Sequence, residues 1–152
     1  MKKILSLVII GILTLSLCAC GDDEGKKQEA LVPPSQDAIN LTVKTLKQND
    51  FVQDVGISAH KDKSTIKIAI QTKVPLNEEN AKSLIDSAIR QLSGFNSGEN
   101  GQPTKNYYGK LWDTWNAEVV VFIGQSTLTL RGDKNSGKDA PIVYTNKGSA
   151  AD

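Results

Sequence analysis

Both tryptophans and two of the three tyrosines of this chain fall within nine residues, at Tyr107, Tyr108, Trp112 and Trp115. Rings with a polar tip are enriched at binding surfaces, and flat rings stack on sugars. Tyr108, Leu111, Trp112 and Trp115 recur at helical spacing, so one side of a short helical turn packs. Tyr107, Lys110 and Asp113 then point elsewhere. Tyr107, Tyr108, Lys110 and Asp113 are therefore the candidate ligand-binding residues. Trp112 and Trp115 are expected to pin the turn onto a sheet, since a small sheet needs large side chains to fill its core. Asp113 and Glu118 flank Trp115, and an apolar ring beside a carboxyl favours acid/base work. No pair of carboxylates has a spacing that compels a cleft, so no catalytic residue is assigned.

Other motifs fall short of their chemistry. Gly132-Asp-Lys-Asn-Ser-Gly137-Lys138 has the spacing of a phosphate-binding loop. Asp139 stands where such a loop needs a hydroxyl for magnesium, and Ala140-Pro141-Ile142-Val143 reads as extended where it needs a helix. Asp133, Asn135 and Asp139 faintly follow a calcium loop, but two lysines among them oppose a dication. Arg131-Gly132-Asp133 spells an adhesion tripeptide and also suits a strand-ending turn. His60 is the single histidine, too few for a zinc site of His and Cys ligands. No metal and no cofactor is expected.

The elements that must position these residues are legible in turn. Ser35 follows two prolines and can cap a helix whose stripe is Ile39, Val43 and Leu46. Val55, Ile57 and Ala59 alternate, as do Ile66, Ile68 and Ile70, with Lys61-Asp62-Lys63 as the turn of a hairpin. Asn77 caps the clearest helix, with Glu78 and Glu79 in its first turn and an apolar stripe of Ala81, Leu84, Ile85, Ala88, Ile89 and Leu92, closed by Gly94. Asn96 to Asn106 carries no large apolar residue and is expected to be a loop able to move over the aromatic segment. "AEVVVFIG" and "STLTLRG" read as strands, and "PIVYT" offers a short last one. The expectation is an α+β fold with helices packed on one face of a mainly antiparallel sheet, in the order α-β-β-α-β-β. Residues 35–152 form a single domain.

The chain's two cysteines, Cys18 and Cys20, sit where an apolar run from Ile4 to Ala19 gives way to Gly21-Asp22-Asp23-Glu24. Lys2 and Lys3 precede the run, as in an export signal, and its sixteen residues are short for a membrane span. Leu17-Cys18-Ala19-Cys20-Gly21 resembles the lipobox of bacterial lipoprotein precursors. That resemblance implies a diacylglycerol thioether on Cys20 and cleavage after Ala19. Residues 1–19 are then the signal peptide and 20–34 a polar, proline-ended tether that reads as flexible. Lipid on Cys20 holds the chain to the extracytoplasmic face of the cell membrane.

The mature chain has no free thiol and no disulfide. Loss of Lys2 and Lys3 turns a formal charge of +1 into −1, a balance that does not suggest nucleic acid. In layout the chain resembles the small lipoproteins of Bacillus-type genomes. The expected function is a membrane-anchored, non-enzymatic binding or interaction domain for a protein or wall polymer. The alternatives are a small enzyme acting on cell-wall or peptide substrates, or an accessory or exclusion factor of a membrane complex.

Overall fold

The computed structural model describes residues 31–99, 101–125 and 127–146. Cys20 and the lipobox lie outside them. The described chain is already packed at Leu31, which rests against the core. Helix α1 spans Gln36–Leu46, and the Ser35 hydroxyl accepts the Ala38 amide at 3.2 Å. The buried line of α1 is Ala38, Thr42 and Leu46, while Ile39 and Val43 pack at its margin. Small residues let α1 lie close on its neighbouring helix. Thr42 can be buried because its hydroxyl donates to the Ala38 carbonyl at 2.7 Å.

Strands β1 (Val52–His60) and β2 (Thr65–Thr72) form the expected hairpin around a 3₁₀ turn at Lys61–Lys63. Helix α2 runs Glu78–Asn96, capped by Asn77, whose Oδ1 accepts the Asn80 amide at 2.8 Å. Gly94 does not end it. The helix continues to Asn96, and a Cβ on Gly94 would meet Gln102 Oε1 at 3.4 Å and Pro103 at 3.7 Å. The glycine admits the following loop rather than reversing the chain. That loop is strapped down: the Gln102 side-chain amide reaches the carbonyls of Gly94, Ser97 and Gly98 at 3.0, 2.6 and 3.0 Å.

A four-residue helix α3 (Leu111–Thr114) precedes β3 (Asn116–Ile123), β4 (Thr127–Lys134) and β5 (Ile142–Asn146). The sheet order is β1-β2-β3-β4-β5. The fold is α+β, but its order is α-β-β-α-β-β-β rather than α-β-β-α-β-β. The sheet is mixed, since β2 and β3 are parallel and the other neighbours antiparallel. Parallel pairing follows from α2, which carries the chain back to the starting end of the sheet before β3 begins. The fifth strand is a short edge that begins after Pro141 and buries only Ile142 fully, so its pattern is weak.

Both long helices cover one face. Ile66, Ile68, Ile70, Ala117, Val119, Val121 and Leu130 meet the apolar stripe of α2 there. Gly132 lies under α2: a Cβ on it would stand 2.7 Å from Ile85 Cγ2. Arg131-Gly132-Asp133 is thus the interior of β4, not a strand-ending turn.

Candidate functional site

Trp112 and Trp115 are core, 1% and 0% exposed. Trp112 Nε1 donates to the Ile89 carbonyl and Trp115 Nε1 to the Val32 carbonyl, both at 2.9 Å. One ring ties α3 to α2; the other ties the segment before α1 to the start of β3. The tyrosines line the outer flank of this joint. The Tyr107 hydroxyl donates to Asp113 Oδ2 at 2.9 Å. Burial, reinforced by that carboxylate, pushes Tyr107 up to about 12. Tyr108 lies under the Arg90 guanidinium at 4.4 Å, and Arg90 is held by Asp86 at 2.8 Å. Arg90 also reaches the carbonyls of Thr104 and Tyr107. Tyr108 and Tyr144 are raised by burial first and by the Asp86 charge second. Lys110 is exposed, and its amide donates to Gly101 at 2.9 Å.

The structure thus brings Tyr107 and Asp113 together, sets Tyr108 in a cation–aromatic stack, and leaves Lys110 on the rim. Of these side chains, Tyr107 and Asp113 bond to each other, and the second Asp113 oxygen, Oδ1, is buried without a hydrogen-bond partner among the described residues. Lys134 joins them unannounced by the sequence: it is 1% exposed, with Nζ on the carbonyls of Asn135 and Gly137 at 3.1 and 3.0 Å. Burial lowers its pKa, opposed by Asp113. The only signal for it was its place on the inward phase of β4, two residues beyond Gly132. It pins the 135–137 loop.

Asp113 and Glu118 do not converge. Asp113 sits on the helix side with Tyr107, and Glu118 on the other side of the sheet. His60 contacts Ser58 Oγ at 3.2 Å near the hairpin end. Among the described residues, no three His, Cys, Asp or Glu side chains gather in a metal-holding group.

Among the described residues, no helix lies on the second face of the sheet. Register places Gly56, Ala69, Val120, Arg131 and Thr145 in one row across all five strands. Ser58, Lys67, Glu118, Asp133 and Val143 form the next. Glu118 receives Lys67 and Arg131, each at 3.4 Å, and Arg131 Nε meets Asp133 at 2.7 Å. This ladder of alternating sign neutralises the charged row. Beside it lies a trough of about 410 Å³ lined by Gly56, Ser58, Lys67, Ala69, Glu118 and Val120. Its floor is apolar because glycine and alanine occupy two adjacent strands. Its volume is that of a site for a small group or one or two side chains. No protein-family model, curated protein or solved structure matches this chain.

Proposed function

We propose that this chain is a lipid-anchored binding module at the extracytoplasmic face of the cell membrane, with the open sheet face as its ligand surface. The anchor reading rests on the lipobox resemblance and Cys20. The observation that carries the binding reading is the one-sided sheet. Five strands are clothed by helices on one face, and the other holds a trough whose apolar floor is set beside a self-neutralised charge ladder. The apolar floor desolvates at low cost and offers a concave seat, while the paired charges can stay hydrated at its rim. The aromatic segment supports that surface from behind, through the two buried tryptophans.

The test is site-specific photocrosslinking in intact cells. A crosslinker at Val120 on the open face should capture a partner, and one at exposed Ser83 on α2 should not. Capture at Ser83 alone would overturn the open-face reading. Independently, Cys20→Ser should abolish metabolic lipid labelling and detergent-phase partitioning; unchanged partitioning and labelling would overturn the anchor.

A further inference from the structure

We infer that the free edge of β1 binds an extended peptide segment of a partner as a sixth strand, one side chain of which enters the trough. The inference rests on the open-face reading above and names its ligand class. β1 is nine residues long and, among the described residues, pairs with β2 on one side only. The Val55 amide does not serve the ladder: it donates to Asp54 Oδ1 at 3.0 Å. Alternate residues of an antiparallel strand turn their backbone groups the same way, so Val55, Ile57 and Ala59 present N–H and C=O outward.

Edges of this kind are templates for another chain, and proteins normally blunt them with charge, proline or brevity. The opposite edge has two of these devices, since β5 is five residues long and starts after Pro141. On the β1 edge the one charged device is Asp54, whose carboxylate takes the Val55 amide; from Ile57 to Ala59 there is none. Its one irregularity, at Gln53, lies at the far end and leaves the rest regular.

The side-chain geometry fits the same ligand. Gly56 stands between this edge and the trough, and nothing lies within 4 Å of where its Cβ would be. No side chain therefore walls the trough off from an added strand. A residue of that strand on the open face leans over Gly56 onto Ala69 and Val120, which suits an aliphatic side chain. Main-chain bonds would supply affinity and the trough selectivity, the division seen in strand-addition recognition generally.

A second copy is the competing occupant, and its own side chains argue against it. The open-face residues of β1 in this stretch are Gly56, Ser58 and His60. A second β1 laid along this edge therefore brings no aliphatic side chain over the apolar floor, whereas a partner's peptide can.

The experiment uses the full lipidated chain in nanodiscs and binders selected from a phage-displayed library of short random peptides. Bound peptide should slow amide exchange at Ile57 and Ala59 by at least about tenfold and change Gly56 and Ser58 less. Ala59→Pro removes an outward amide without breaking the β1–β2 ladder, and Gly56→Leu fills the way into the trough. Each should weaken peptide capture by about tenfold or more, while thermal melting shows both variants folded. Failure to select any peptide, or binding that leaves the Ile57 and Ala59 amides unprotected, overturns the inference. So does self-association by analytical ultracentrifugation that protects the same amides without peptide. Capture at Val120 without edge protection sinks strand addition and leaves the open-face reading standing. Edge protection without capture at Val120 sinks the open-face reading instead.

Discussion

At the scale of single residues, the candidate site divides into groups that hold the fold and groups that face outward. Tyr107 belongs to the first. Its pKa rises from 10.0 to about 12 in the folded chain, so the unfolded state releases its proton first. The stabilisation is therefore complete below pH 10 and is lost as pH climbs through about 12. Tyr107→Phe should lower stability at neutral pH by about 1 kcal/mol, the net worth of one hydrogen bond. It should also flatten the loss of stability between pH 10 and 12, read by urea unfolding at several pH values. An unaltered alkaline profile would show that the Asp113 contact carries no such linkage. The tryptophans were legible as core because helical spacing put them on one side. Trp112→Ala should cost about 3–5 kcal/mol in the same assay. Trp115→Phe loses the bond to Val32 and leaves a void where the second ring of the indole lay, and should cost about 2–3 kcal/mol. Lys134 was not legible. Nothing local marks a lysine whose ammonium is consumed by two carbonyls of its own following loop.

Among elements, periodicity specified what was strongly periodic. Helix α2 and strands β1 to β4 lie where their patterns put them, because each buries one face and a shifted register would expose it. Three features escaped. Helix α1 packs through Ala38 and Thr42, since approach to α2 rewards small size over hydrophobicity. Helix α2 outruns Gly94, because a distant glutamine caps its last carbonyls. β5 pairs at an edge that demands little of its sequence. The open face was equally hidden. Gly56 and Ala69 meet within the β1–β2 hairpin, but Val120 is far along the chain, and only the parallel β2–β3 pairing adds it to their row. Gly132 tests how tightly the layers meet. Gly132→Ala must displace Ile85 or bend β4, because the added carbon would stand 2.7 Å from Ile85 Cγ2. A loss of about 1–3 kcal/mol is expected, typical of overpacking. If the denaturation midpoint is unmoved, the helix–sheet spacing is looser than these contacts imply.

For the whole molecule, the consequence of the packed Leu31 is orientation. The Val32 carbonyl holds Trp115, and Asn116 beside it donates to Ser64 at 2.8 Å. The entering chain, the start of β3 and the 61–64 turn therefore occupy one pole. The Gly124–Gln125 turn ends β3, eight residues further on, at the other pole about 27 Å away. Cys20 is eleven residues from Leu31, so the proposed lipid there would keep the first pole within about 40 Å of the bilayer. On the proposed anchor only the first pole is tethered, which would stand the strands away from the membrane and present the open face sideways to partners rather than down to lipid. This predicts a gradient in depth. With the lipidated chain in vesicles, a fluorophore at Asp62 should be quenched by headgroup-labelled lipid more strongly than one at Gln125. Equal quenching would mean that the domain lies flat, and stronger quenching at Gln125 would mean that it is inverted. Either outcome would overturn the sideways presentation of the open face.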